Sequence, residues 1–250
     1  MQTDELLAEV DYVISQSRNP LHMLDMMHCM RGYDDSTYVH SMNVSMIANI
    51  IGKWLGYSEG ELRILTVAGL LHDIGKLKIP KEIIKKPSKL TDEEFHIIQS
   101  HPQYGYEILQ SKNLDKRVKL AALQHHERTD GTGYPNKLHA KEIDEISKII
   151  SIADVYDAMT ANRVYREGLC PFTVIEFFEH ERHLYDPGVL YMFLQRTVEA
   201  YINTDVLLSN GEKGKVVLLN QNVLSKPIVI TPKKTYDLSK ETDLSIQTIL

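Results

Sequence analysis

Only two of the 250 residues are cysteine, Cys29 and Cys170. Two thiols cannot staple a disulfide scaffold, and both are expected as free, buried small side chains. Glycine (13) and proline (9) are too few for a collagen-like or low-complexity chain. No apolar run approaches the roughly 18 residues of a membrane span. The N-terminal MQTDELLAEV is acidic and lacks the basic and apolar regions of a signal peptide. A cytoplasmic protein without a membrane segment is therefore expected. Lys plus Arg number 28 against 34 Asp plus Glu, for a net charge of −6. No segment is dominated by basic residues, which argues against a nucleic-acid polymer as partner.

What remains is an ordinary globular composition, 43% hydrophobic and 25% charged. It is long enough to bury a core unaided. Residues 1–30 read as N-terminal helices that pack on the body or link to another segment. They carry a methionine stripe (Met23, Met26, Met27, Met30), expected as adaptable core. Residues 31–204 read as a helical core. Val44, Ile47 and Ile51 share a helix face with His40, and Gly56 closes that helix. Glu61–His72 is apolar almost all round, as a central helix is. Thr91–Glu94 forms a capping box, and Pro102 is expected to end or kink the helix it starts. Arg117–Glu127 reads as helix, Thr129–Pro135 as a glycine-rich loop, and Ile143–Asp157 as a helix with one apolar side. Residues 205–232 read as a small β element built on a hairpin around Asn210-Gly211, and residues 233–250 as a polar tail.

Eleven histidines are the unusual number. His40, His72, His101, His125 and His126 fall on or at the ends of apolar helix faces, and so do Asp73 and Asp154. Buried Asp and His are costly without partners. Taken singly, each has a bland explanation: a core histidine, a helix cap, a solvated pair. Together, from five separate segments, they point to a metal centre, as helical bundles build them. Nitrogen and oxygen donors without thiolate suit iron, manganese, cobalt or zinc. Five histidines and two aspartates exceed the four ligands of one tetrahedral zinc. Two ions bridged by a carboxylate, with Asp73 as the bridge, fit the count better.

These residues sit in long, ordered motifs: YVHSMNV from Tyr38, LLHDIGK from Leu70, KLTDEEF from Lys89, SHPQYGYEIL from Ser100, QHHERTDGTGYP from Gln124, IADVYDAMTANRVYR from Ile152 and LSNGEKGKVV from Leu208. The chain resembles the HD-GYP family of bacterial HD phosphohydrolases over roughly residues 30–230. The resemblance implies an all-α, HD-type helical bundle with a dinuclear metal site in its core, plus the small C-terminal β-hairpin element. It implies hydrolysis of cyclic di-GMP to linear pGpG, sometimes on to GMP, by a hydroxide bridging two divalent transition-metal ions, iron or manganese foremost.

By that resemblance His40, His72, Asp73, His101, His125, His126 and Asp154 match the metal ligands. Asp73 and Lys76 match catalytic positions, Lys76 as the lysine that contacts a substrate phosphate. Arg163 and Arg166 match ligand-contacting basic residues. Gly133, Tyr134 and Pro135 are the GYP residues, expected to shape the pocket rim or a partner surface. The chain departs from the family twice. Ser36 stands where some members place a glutamate for a third metal, so two metals are expected, with Asp34 or Asp35 the only substitutes nearby. Val164 replaces the usual proline after the first pocket arginine. Three rivals stay open: another cyclic dinucleotide such as 3′,3′-cyclic GMP-AMP, a catalytically silent cyclic di-GMP receptor, and a di-iron oxygenase. A homodimer through the N-terminal helices and a sensory or regulatory input partner are further expectations.

Overall fold

The computed structural model describes residues 37–250, except 85, 87 and 163–166. The expected N-terminal helices, the methionine stripe, Cys29, Asp34, Asp35 and Ser36 lie outside the described residues, as do Arg163, Val164 and Arg166.

Nine α-helices are described: α1 Thr37–Trp54, α2 Glu59–Leu71, α3 Lys81–Ile84, α4 Asp92–Ile98, α5 His101–Gln110, α6 Lys116–Gln124, α7 Glu145–Thr160, α8 Pro171–His180 and α9 Pro187–Ala200. Short 3₁₀ turns cover Ile74–Lys78 and Arg182–Leu184. Local chemistry sets the helix starts. Ser58 with Glu61, and Thr91 with Glu94, form reciprocal capping boxes at α2 and α4. Asp115, Asp144 and Asp186 accept backbone N–H groups at the starts of α6, α7 and α9. Gly56, at φ +77°, ends α1 in the left-handed region.

Helices α1, α2 and α7 form the centre. Val44, Ile47, Ile51, Leu65, Ala68, Ile149, Ile150 and Ile152 are buried between them. The crossing of α1 and α2 is close because Gly69 faces Ser45, where a Cβ would lie 2.5 Å from the Ser45 Cα. Among the described residues, no helix is long and apolar enough to cross a membrane.

Two expectations need correction. Pro102 does not end the capping-box helix. Helix α4 stops at Ile98, and Pro102 occupies the first turn of the next helix. There its missing N–H costs nothing, since the first-turn donors have no intrahelical acceptors. The polar segment 233–250 is not a tail. It supplies β4 (Thr235–Asp237) and β5 (Ile246–Ile249) to a five-stranded antiparallel sheet with β1 (Asp205–Leu208), β2 (Lys213–Leu218) and β3 (Ile228–Ile230). The strand order is β4-β3-β2-β1-β5. The expected hairpin is the β1–β2 pair, with Val206 opposite Gly214. Tyr236, Leu238, Leu244 and Ile246 bury their side chains from the otherwise polar segment. Each new strand is three or four residues long, too short for an alternation that stands out in sequence.

Candidate metal centre

Helix ends bring the site together. His72 caps α2 and Asp73 follows it; His101 opens α5; His125 caps α6 and His126 follows it. His40 comes from the first turn of α1, and Asp154 from the middle of α7. Gly75 lets the turn after Asp73 lie against the start of α5. A Cβ there would fall 1.9 Å from the His101 carbonyl oxygen and 2.5 Å from the Gly105 nitrogen. Only glycine permits that approach, and it sets His101 beside Asp73.

Asp73 lies between two groups of imidazoles. Its Oδ1 is 3.2 Å from His101 Nε2 and 3.7 Å from His125 Nε2. Its Oδ2 is 3.4 Å from His72 Nε2 and 3.7 Å from His40 Nε2. One carboxylate oxygen thus serves each side. Asp154 closes the other side: its Oδ1 is 3.0 Å from His40 Nε2 and 3.8 Å from His72 Nε2, and its Oδ2 is 3.9 Å from His126 Nδ1. The donor atoms fall into two compact sets, His40–His72–Asp73 and His101–His125–His126. The structure therefore gathers all seven residues that the sequence singled out.

The outer contacts fix the imidazoles. Nδ1–H of His72 donates to Gly69 O at 2.7 Å, that of His101 to Ile98 O at 2.7 Å, and that of His125 to Ala121 O at 3.0 Å. His40 donates Nδ1–H to Asp157 Oδ2 at 2.8 Å. With Nδ1 committed, Nε2 of His72, His101 and His125 carries the inward lone pair, the arrangement metal-ligating histidines use. His72 Nε2 and Asp73 Oδ1 are buried without a hydrogen-bond partner. Unpartnered buried polar atoms are expensive, and cation binding is what satisfies them.

The protonation states agree. Burial holds His72 and His125 below the usual imidazole range, and the neighbouring His126 lowers His125 further. Burial pushes His126 down to about 3. Burial raises the Asp73 carboxyl, but Lys76, His72 and His101 more than reverse this and hold it well below the carboxylate range. Asp154 is likewise held well below by His40, His126 and His72, against its own burial. Burial lowers His40, yet hydrogen bonds to Asp154 and Asp157 carry it up to about 9. His72, His125 and His126 are thus neutral imidazoles, and Asp73 and Asp154 ionised carboxylates, the ligand forms a cation requires. All donors are nitrogen and oxygen, so each of the two sets fits a divalent metal ion.

The GYP loop supports His126. The Tyr134 ring stacks on the His126 ring at 4.7 Å and 24°. Tyr134 N–H donates to His126 O at 3.2 Å. Gly133 lies so close to residues 126–128 that a Cβ would fall 2.4 Å from Arg128 N. Beyond Pro135, the buried Glu127 carboxylate accepts from Asn136 N (2.7 Å) and Leu138 N (2.9 Å). Glu127 and Asp157 were not singled out by sequence as site residues. Asp157 had a readable signal, one helical turn after Asp154 on the same face. Glu127 had none, because it lies past the end of α6. Lys76 Nζ donates to Asp73 Oδ2, and its side chain is 27% exposed.

Comparison with known proteins follows the same lines. The HD domain family matches residues 13–189. The chain is 37% identical over 185 residues to the cyclic di-GMP phosphodiesterase response regulator RpfG of Xanthomonas campestris pv. campestris, covering 73% of this chain and 48% of that protein. It is 40% identical over 145 residues to 3′3′-cGAMP-specific phosphodiesterase 1 of Vibrio cholerae, covering 58% of this chain and 34% of that protein. The chain thus spans about half the length, or less, of these curated relatives. Among solved structures, Bd1817, a HDG"Y"P protein from Bdellovibrio bacteriovorus, shares the fold with a TM-score of 0.61 at 19% identity, covering 78% of this chain and 62% of that one. With a family match over most of its length, and the HD and GYP motifs carried on the segments that build the centre, the chain belongs to the HD domain family as a member of HD-GYP type.

Proposed function

We propose that the chain is a metal-dependent phosphodiesterase that hydrolyses cyclic di-GMP to linear pGpG. The observation that carries this reading is Asp73, buried with one oxygen toward each of two histidine groups. Bound there, two divalent ions supply Lewis acidity at the phosphate and an acidified water as nucleophile. The family resemblance points to iron or manganese, which His40, His72, Asp73, His101, His125, His126 and Asp154 would hold.

The chain's own residues do the rest. Asp73 and Asp154 place anionic oxygens between the imidazoles and balance cationic charge. The backbone carbonyls at Gly69, Ile98 and Ala121 keep the protons of His72, His101 and His125 on Nδ1. Lys76, tethered to Asp73, would add a positive charge for a non-bridging phosphate oxygen, and Arg163 and Arg166 match, by the family resemblance, basic residues that contact the ligand. Water attacks phosphorus, the bond to the 3′-oxygen breaks, and the leaving oxygen takes up a proton.

A second reading keeps the chemistry and changes the base. The similarity to a phosphodiesterase named as 3′3′-cGAMP-specific favours it. Competition between the two cyclic dinucleotides separates the readings. A homodimer through residues 1–30 and an input partner belong to the same proposal, and light scattering tests the dimer. The main test is anaerobic incubation of manganese- or iron-loaded protein with cyclic di-GMP, beside a His72→Ala/Asp73→Ala variant. Formation of pGpG that the variant lacks is expected. Tight nucleotide binding without turnover overturns the enzyme in favour of a receptor.

A further inference from the structure

A cavity of about 860 Å³ opens beside the GYP loop. It lies between the start of that loop, the end of α8, the 3₁₀ turn Arg182–Leu184, α9 and the loop between β2 and β3. None of the seven metal-site residues lines it. Its size is that of a small-molecule site.

The lining separates into two parts. Tyr185, Leu190, Leu194 and Val223 make an apolar floor, and the exposed ring of Tyr191 stands at the rim. His180, Arg182 and His183, all three exposed, also line the cavity. The acid among the lining residues, Glu179, is already committed: its Oε1 accepts from Leu224 N at 2.6 Å and its Oε2 from the Ser225 hydroxyl. The Arg182 side chain is exposed and makes no hydrogen bond or ion pair among the described residues. His180 donates Nδ1–H to Glu176 O at 2.7 Å.

An aromatic and aliphatic floor beside the exposed, uncommitted guanidinium of Arg182 selects an amphipathic organic anion: a planar apolar body carrying a carboxylate, sulfonate or phosphate. We propose that this cavity is a binding site for such an anion, distinct from the metal centre and linked to it through Thr129. Thr129 lines the cavity and lies three residues after His126. Its N–H donates to Leu184 O at 3.0 Å, and its hydroxyl donates to His183 O at 2.8 Å. Arg128, next to it, lies over the Tyr185 ring at 5.2 Å and donates to Glu127 O at 3.0 Å. A ligand that moves the turn at 182–185 therefore pulls on the segment that positions His126 and Tyr134. The linkage rests on the metal reading above; the binding site does not.

The probe is anilinonaphthalene sulfonate, an aromatic anion whose fluorescence rises in apolar sites. Titration of the full chain is expected to show one saturable site. Arg182→Gln, at an exposed position, is expected to weaken it about fivefold. Val223→Trp, which fills the cavity from a loop, is expected to abolish it. Absence of saturable binding, or equal binding in the native chain and both variants, overturns the site. The linkage is read by repeating the titration after manganese loading, with uptake verified by metal analysis. A change of severalfold in probe affinity is expected, since coupling between sites is reciprocal. An unchanged affinity in protein that has taken up the ions overturns the linkage alone, and failure to take up ions overturns the metal reading instead.

Discussion

The Nδ1 of His40 lies 2.8 Å from the Oδ2 of Asp157, across 117 residues of sequence, with both side chains buried. Asp157 thereby sets the ring orientation of a metal-site residue without reaching the centre itself. Replacing its carboxylate by an amide keeps the volume and removes the charge that favours a donated Nδ1–H. Asp157→Asn is expected to lower metal affinity or turnover by about 10–100-fold, as outer-shell changes do. Metal content after dialysis against a graded chelator checks this. Retention equal to the native chain would show that the His40 orientation comes from packing alone.

Asp73 has one oxygen toward each histidine group, so its loss should not be local. Two equivalents of metal per chain are expected in the native protein, and less than one in Asp73→Ala. His101→Ala, which touches one group, is expected to spare part of the other. Elemental analysis of the three proteins gives the stoichiometries. Three equivalents in the native chain would sink the two-ion site and turn attention to Asp34 and Asp35.

Much of this centre was legible because metal ligands carry two signals at once. His40, His72, His101, His125 and Asp154 are polar residues at positions where helical periodicity demands apolar ones, and such conflicts are visible without coordinates. Their gathering depends on helix ends, which punctuation such as Gly75 and Pro102 marks. Pro102 was misread because a proline that stops one helix and one that starts the next look alike in sequence. Residues 233–250 were misread because β4 and β5 are supplied by pairing with β3 and β1, not by their own pattern. Glu127 was invisible for a related reason: its role is to bind the backbone of Asn136 and Leu138, and no side-chain pattern records a backbone partner. Helix α4 shows the limit from the other side, since its apolar Phe95 and Ile97 stand 48% and 42% exposed.

Gly75 offers a test of how tightly the turn after Asp73 is held. Its would-be Cβ meets backbone atoms of His101 and Gly105, not the movable end of a side chain. Gly75→Ala must therefore push α5 away from the turn, widening the distance from Asp73 to His101. A destabilisation of about 3 kcal/mol is expected, at the upper end of overpacking costs. Gly60→Ala is the control, because nothing lies within 4 Å of its would-be Cβ. Urea unfolding of both variants measures the difference. Equal midpoints would mean that the close approach at Gly75 relaxes freely.

The charges at the centre predict a stability that falls on both sides of neutrality in metal-free protein. His72, His125 and His126 are held neutral, with His126 down to about 3, whereas an unfolded chain protonates histidine near 6.5. Between those values the unfolded state binds more protons, so stability drops as the pH falls below about 6.5. Asp73 and Asp154, depressed in the fold, add to the acid limb once the pH nears the ordinary carboxylate range. His40 works in the opposite sense. Raised to about 9, it contributes fully below about 6.5, and that contribution is lost as the pH rises through about 9. Urea midpoints of chelator-treated protein, taken from pH 5 to pH 10, are expected to peak between the two limbs. In His40→Gln the alkaline limb is expected to flatten while the acid limb persists. A native alkaline limb unchanged by that substitution would assign it to another group. Saturating metal should suppress both limbs, because a bound cation competes with protons for these same nitrogen and oxygen atoms.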